Sequence, residues 1–378
     1  GSTLTAVAGN GYPIDTTSNA CTITLPASAS VGDEIVFSDY DRTWGTNEII
    51  IDSNGLNYQG EDDTWTVEYD TDGQSLHIVY MDATNGWIPI SGDDVTYKPS
   101  QTKGIFGFGH DGSVASMTNL VSDAGVVATD TAGVGSARWK LAACEFGGDK
   151  AIFGFGNTGS NTAITNLVSS AGVVASDVAG VGTARSQLAA CSFGSDKGIF
   201  GFGTGVSNLS NLVSNAGVVA SDTAGVGTAR DDVAACEFGG DKGIFGFGND
   251  GSLTGVTNLV SNAGVVASDV AAVGTARSAL AACSFGSDKG IFSFGSSSPS
   301  YTNLVSNAGV VASDVTQVGT ARVALAATQY GADTAIFGFG GNGSLTNISN
   351  LVSNAGVVAS DTAGVGTARY FIAACSYG

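Results

Sequence analysis

The chain has 378 residues, of which 43% are hydrophobic, 13% charged and 56 glycine, and its formal net charge is -20. It is too apolar and too sparsely charged for a disordered chain. It is also long enough for two domains, and its glycine content suits an all-β protein with tight turns and closely packed sheets. The first hundred residues hold 16 acids against Arg42 and Lys98 (-14), and the rest hold 18 acids against 12 bases (-6). Such a surface repels phosphate backbones, so no nucleic-acid partner is expected. No run of about 18 apolar residues occurs, so no membrane insertion is expected. No basic-then-apolar signal segment opens the chain.

In chain order, the first predicted elements are strands over Thr22–Leu25, Glu34–Phe37, Glu48–Ile51, Thr64–Tyr69 and Leu76–Tyr80, which alternate or are β-branched. Asn54-Gly55 and Asp72-Gly73 read as hairpin turns between them. Asp70, Asp72, Glu61, Asp62 and Asp63 could hint at calcium, but turn chemistry accounts for them and no metal is expected. Several phrases carry a resemblance: Ile23-Thr24-Leu25-Pro26, Gly32-Asp33-Glu34-Ile35-Val36-Phe37, Asn54-Gly55, Val79-Tyr80-Met81-Asp82 and Gly86-Trp87. With them, residues 1–98 resemble modules of bacteriophage tail fibres and related virion proteins. The resemblance implies a small β connector or oligomerisation domain, often homotrimeric in fibres, that joins other virion proteins at the particle surface.

After a short linker at 99–103, one sentence repeats six times. Arg138, Arg185, Arg230, Arg277, Arg322 and Arg369 recur in G-[ST]-A-R at spacings of 47, 45, 47, 45 and 47 residues. I-F-[GS]-F-G starts at Ile105, Ile152, Ile199, Ile244, Ile291 and Ile336. A period of this length with strand-like phrases predicts a β-propeller. Four strands are expected per repeat, exemplified by Leu188–Phe193, Gly198–Phe202, Asn211–Ser214 and Val218–Ser221, with G-S-D-K and N-A-G as short turns. Alternation places both Phe residues of G-I-F-G-F-G on one face, with Ala and Gly leaving space opposite. The first copy lacks L-A-A-C-x-F-G and the last stops after it, so 372–377 is expected to pair antiparallel with 104–109 and close a ring of six blades over 104–378.

Up-and-down blades put the G-S-D-K and N-A-G turns at one end, the base, and the remaining connections at the other, the crown. Variation falls on the crown. The stretches between I-F-G-F-G and the third strand run eight, eight, six, eight, six and eight residues, as in 110–117, 204–209 and 296–301. The dipeptide after each Arg, taken as the start of the first strand, varies as well. Loops on a fixed frame carry recognition. The candidate ligand-binding residues are therefore His110, Asp111, Trp139, Lys140, Asn157, Asn161, Asp231, Asp232, Asn249, Asp250, Tyr301, Asn342, Tyr370 and Phe371. Aromatics with short amides and carboxylates suit sugars and proteins alike. The opposite reading is drift in unconstrained loops.

Each Arg is preceded eight residues earlier by an Asp (Asp130, Asp177, Asp222, Asp269, Asp314, Asp361), which predicts a bidentate pair fastening that connection or bridging blades. A cationic ring for an anionic ligand is the rival reading. Cys144, Cys191, Cys236, Cys283 and Cys375 share one repeat position with Thr328, and read as small buried strand residues without disulfides.

The succession A-R-x-x-L-A-A-x-x-F-G-x-D-K-G-I-F-G-F-G resembles the Kelch repeat, without its usual later Trp and Tyr, and this implies a propeller used for binding. Some Kelch-like propellers are copper oxidases, but with only His77 and His110 that site cannot be built. No phosphate loop, G-x-S-x-G or H-E-x-x-H occurs, and no cofactor or enzyme activity is expected. The sequence thus predicts a non-enzymatic phage virion or tail-fibre protein whose crown recognises a host-surface glycan or protein. The alternative is a structural virion component, either capsid decoration or fibre shaft. A polysaccharide depolymerase is a third, lesser reading.

Overall fold

The computed structural model describes residues 2–61, 67–91, 102–205, 207–296 and 301–378. The chain divides into two units, Gly1–Pro99 and Ser100–Gly378, and the division falls in the expected linker. The described residues form strands and turns only, arranged in small sheets of three or four strands.

The first unit holds β1 (Thr3–Thr5), β2 (Gly11–Ile14), β3 (Cys21–Thr24), β4 (Glu34–Asp39), β5 (Ile49–Asp52), β6 (Val67–Tyr69), β7 (Ser75–Asp82) and β8 (Gly86–Ser91). They make two sheets, ordered β1-β3-β5-β6 and β2-β4-β7-β8. Three pairings are parallel: β1 with β3, β3 with β5, and β2 with β4. Alternating apolar side chains from both sheets, among them Ile23, Phe37, Ile51, Tyr69, Ile78 and Trp87, bury one shared core. Pro13 sits in β2, an edge strand where a missing N–H costs no ladder bond.

Two expectations are corrected here. Asp72-Gly73 is left-handed at Gly73 but closes no hairpin, since β6 and β7 belong to different sheets. Asn54-Gly55, left-handed at both residues, is not a tight turn but part of a longer connection between β5 and β6, which pair antiparallel. The Asp72 carboxylate accepts the Gly45 N–H at 2.8 Å, so it is engaged in turn chemistry. Asp62, Asp63 and the start of the strand expected at 64–69 lie outside the described residues, as does most of the linker.

The second unit continues with β9 (Lys103–Gly107), β10 (Thr118–Val121), β11 (Ala142–Phe146), β12 (Lys150–Gly154), β13 (Thr165–Val168), β14 (Ala189–Phe193), β15 (Lys197–Gly203), β16 (Ser207–Val213), β17 (Ala234–Phe238), β18 (Lys242–Gly246) and β19 (Thr257–Val260). It ends with β20 (Ala281–Phe285), β21 (Lys289–Ser293), β22 (Tyr301–Val305), β23 (Val315–Thr316), β24 (Ala326–Tyr330), β25 (Thr334–Gly338), β26 (Ser349–Val352) and β27 (Ala373–Tyr377). Six antiparallel sheets result, and in each the I-F-G-F phrase is the central strand. The sheet containing β9 takes its third strand from the far end of the chain: Ala373 lies opposite Gly107 and Tyr377 opposite Lys103. This is the antiparallel pairing expected of 372–377 with 104–109, set one residue further along so that Tyr377 faces Lys103.

Small residues let neighbouring sheets approach. A Cβ on Gly154 would lie 2.6 Å from Phe200 Cζ, and one on Gly338 would lie 2.8 Å from Phe106 Cζ. The repeat cysteines fill matching hollows: a Cβ on Gly198 would collide with Cys144 Sγ. All six cysteines are free and buried, and burial pushes the Cys144 thiol up to about 12.

Two circuits of backbone hydrogen bonds link the sheets. At the crown, Lys140 donates to Phe371 O (3.0 Å), Gln187 to Lys140 O (2.9 Å) and Asp232 to Gln187 O (2.9 Å). Ala279 then donates to Asp232 O (3.1 Å), Ala324 to Ala279 O (2.8 Å), and Phe371 to Ala324 O (2.7 Å). At the base, Gly147 donates to Asp196 O, Gly194 to Asp241 O, Gly239 to Asp288 O, Gly286 to Asp333 O, Gly331 to Thr102 O and Gly378 to Asp149 O. One narrow cavity of about 60 Å³ is lined by β11, β14, β17, β20, β24 and β27 together.

Several repeat-level expectations need correction. The two Phe residues of each phrase face opposite ways: Phe106 packs on Phe339, while Phe108 packs on Phe153 of another sheet. The cause is a left-handed backbone at the second Phe, with φ of 61° to 66° at Phe108, Phe155, Phe202, Phe247, Phe294 and Phe339, which breaks the alternation. The fourth stretch is not a regular strand. Ala220 donates to Leu212 O and Thr223 to Ser210 O, so three residues on one side oppose two on the other, as in a bulge. The buried Asn211 amide fills the gap, donating to Ala220 O at 3.0 Å and to Asp222 Oδ1 at 2.9 Å. Only β23 adds a fourth strand to its sheet.

The Arg–Asp pairing also departs from expectation, because each Arg meets the Asp of the next repeat. Arg185 lies 3.7 Å from Asp222 and Arg369 lies 3.6 Å from Asp130, distances of ion pairing without a bidentate fork. The guanidinium instead donates to main chain and Asn. Arg230 Nε reaches Phe247 O at 2.8 Å, Nη1 reaches Thr228 O at 2.9 Å, and Nη2 reaches Asn258 Oδ1 at 2.6 Å. Its plane also covers the Phe202 ring at 4.3 Å. Asp carboxylates clamp successive repeats: Thr183 Oγ1 donates to Asp222 at 2.6 Å, and Thr367 Oγ1 donates to Asp130 at 2.6 Å. The six arginines are at most 2% exposed, so they offer no cationic ring to a ligand.

Candidate functional site

The crown is built from six two-residue platforms. In each, the residue after the Arg pairs through its backbone with the residue after I-F-[GS]-F-G. The pairs are Tyr370 with His110, Trp139 with Asn157, Ser186 with Thr204, Asp231 with Asn249, Ser278 with Ser296, and Val323 with Gly341. The next residue turns left-handed, with φ of 49° to 57° at Lys140, Gln187, Asp232, Ala279, Ala324 and Phe371. These dipeptides therefore precede the first strand instead of beginning it. That turn aims the N–H of the second residue at its neighbour and builds the crown circuit.

The sequence-predicted residues fall into groups. His110, Trp139, Tyr370 and Phe371 form one aromatic cluster: His110 to Trp139 at 4.9 Å, His110 to Tyr370 at 5.6 Å, and Trp139 to Phe371 at 5.4 Å between centroids. Lys140 Nζ rests over Trp139 at 4.4 Å and over Phe371 at 4.9 Å, so aromatic faces hold the cation. Asp111 beside them accepts from Ser113 within its own loop.

Asn157 and Asn161 bond to each other, and Asn161 Nδ2 reaches Thr204 Oγ1 of the next sheet at 3.0 Å. Asp231, Asp232, Asn249 and Asp250 form a separate acidic group. Burial raises Asp232, against a hydrogen bond with Gln187 and the charge of Lys140. Burial raises Asp231 too, helped by Asp232. Asp250 accepts the Ser252 N–H and hydroxyl. Asn342 lies in the 341–348 loop, where its N–H donates to Ser344 O.

Tyr301 stands apart. It is the first residue of β22, opposite Thr316, and among the described residues it makes no ring contact with the aromatic cluster. Strand pairing, which its loop assignment did not anticipate, removes it from the crown loop. Ser297–Ser300 and Val206 of the expected crown loops lie outside the described residues.

The sequence put Ser186, Thr204, Ser278, Ser296 and Val323 at varying crown positions, but they and Gly341 were not among the candidate residues, and their pairing into platforms was missed. A signal was present: each sits one residue past a periodic phrase, so the two positions could have been paired repeat by repeat. Among the described residues, no group of three or more His, Cys, Asp or Glu side chains could hold a metal ion. No family model and no curated protein matches the chain.

Proposed function

We propose that residues 104–378 form a six-bladed β-propeller whose crown recognises a host-surface receptor, carried on a phage virion by the first unit. The ring reading is supported by the β9–β27 pairing, by the two hydrogen-bond circuits and by the cavity shared by all six first strands. The virion reading rests on the resemblance of residues 1–98 to fibre modules.

One observation carries the recognition reading. The six copies keep their frame residues and differ at the platforms, and the exceptional side chains gather into one aromatic cluster instead of scattering. The cluster is half-buried, and Trp and Tyr side chains that bury an apolar body while keeping a polar tip are common anchors in recognition surfaces. Random drift has no reason to concentrate His110, Trp139, Tyr370 and Phe371 on two adjoining sheets.

A structural virion role is favoured by a different feature. Val126, Val173, Val218, Val265, Val310 and Val357 repeat on every sheet at 64–65% exposure, an apolar set suited to packing neighbours. One experiment separates the two readings. Purified protein is tested for saturable binding to a panel of bacterial cells and for competition with whole particles. Recognition predicts adsorption that Trp139→Ala with Tyr370→Ala weakens more than ~tenfold. Absence of adsorption across the panel, with the valine set buried in assembled particles, would leave the structural role standing.

A further inference from the structure

The platforms differ in height around the crown. His110–Tyr370 and Trp139–Asn157 are tall, whereas Val323–Gly341 carries a small side chain and none at all. Where bulk is missing, a cleft of about 740 Å³ opens, within the range of small-molecule sites. His110 and Tyr370 make one wall, Val323 and Leu345 present apolar surface, and Asn342 and Ser344 supply short polar groups.

The chemistry of this lining narrows the ligand. An aromatic wall beside apolar surface takes the C–H face of a ring, and amide and hydroxyl groups meet a hydroxyl-rich edge. The only Lys or Arg in the lining is Arg322, and its guanidinium is not accessible. Arg322 is 2% exposed, covers the Phe294 ring at 4.2 Å, and donates to Phe339 O and Thr320 O. An anionic sugar or phosphate would therefore bury its charge without a partner there. Lys140 of the crown is held by Trp139 and Phe371, and none of the three lines the cleft.

We propose that this cleft beside the His110–Tyr370 wall is a binding site for a neutral oligosaccharide. The proposal deepens the crown-recognition reading and rests on it for its biological setting.

The test fills the cleft with residues that the frame already accepts. Val323→Trp with Gly341→Asn copies the Trp139–Asn157 platform, and a Cβ on Gly341 would meet nothing nearer than Ser344 O at 3.4 Å. Wild type and this double variant are applied to an array of neutral and anionic oligosaccharides, with melting curves checking the fold. Tyr370→Ala, which removes the wall without filling the cleft, is run beside them. Expected is wild-type binding to a neutral oligosaccharide that falls more than ~tenfold in the filled variant and in Tyr370→Ala. Binding only to anionic sugars, binding that survives both variants, or no array binding by a folded wild type overturns the proposal. Cell adsorption without array binding sinks the cleft and spares the crown, whereas array binding without cell adsorption does the reverse.

Discussion

Glu237 projects from β17 into the narrow cavity shared by the six first strands, together with Glu145 from β11. Burial first, then the charges of Glu145 and Asp241, push Glu237 up to about 7 from an ordinary value of 4.5. Burial likewise raises Glu145, partly offset by a hydrogen bond from Ser376 Oγ at 2.8 Å. Between these limits the folded chain holds a proton that the unfolded chain releases. Stability therefore falls as pH rises from about 4.5 to about 7. Glu237→Gln removes that loss. Relative to wild type, the variant is expected to gain on the order of 1–2 kcal/mol at pH 8, after allowing for solvent screening, and almost nothing at pH 4.5. Urea melts at the two pH values give the double difference, and an equal gain at both would refute this account of Glu237.

At the scale of elements, each repeat is graded in order from its central strand outward. The I-F-G-F strand is bonded on both sides and buries Ile and Phe completely, whereas the V-V-A-S stretch is bonded on one side through a bulge and an Asn side chain. Hydrogen exchange should follow that grading, with amides of β12, β15 and β18 slowest and those of 173–177 and 218–222 orders of magnitude faster. Uniform protection across a repeat would mean that the bulged stretch is as firmly held as a strand.

The same grading explains what the sequence could reveal. L-A-A-C-x-F and I-F-G-F recur with fixed neighbours, so their pairing, and the pairing of 372–377 with 104–109, was readable by copying one repeat onto the next. The V-V-A-S stretch has the composition of a strand, and nothing in it announces one residue too many. The partner of each Arg was equally hidden. Spacing along the chain favoured the Asp eight residues before, whereas packing between sheets selected the Asp of the following repeat. The left-handed turn at the second Phe of each phrase left no composition signal, because glycine normally takes such positions. In the first unit, the parallel pairings link segments separated by other strands, which local patterning does not report.

For the second unit as a whole, the decisive contact joins residues far apart in sequence. β27 pairs with β9, Thr367 clamps Asp130, Arg369 reaches Asn119 and Phe108 O, and Phe106 fills the hollow at Gly338. The hydroxyl–Asp clamp and the Arg bond to a Phe carbonyl recur five times between neighbours in sequence, so here they occur for the sixth time, and the backbone bonds of Phe371 and Gly378 complete the two hydrogen-bond circuits. Contacts of such sequence separation form against a large loop-closure entropy, and they stabilise only once every intervening repeat is in place. Deleting 372–378 should therefore do more than fray one edge. It strips β9 of a neighbour, bares Phe106 and Ile105, opens the base circuit at Gly378, and leaves Phe371 of the crown circuit at a chain end. The expected result is a loss of more than ~4 kcal/mol, with a broadened melt, dye-accessible apolar surface and faster exchange in β9 and β24. Deleting a crown loop of similar length, such as 341–347 replaced by a short Gly linker, should leave the melt sharp. If the truncated chain melted as sharply and as high as the intact one, β27 would be an appendage, and the proposed ring would give way to repeats that merely follow one another.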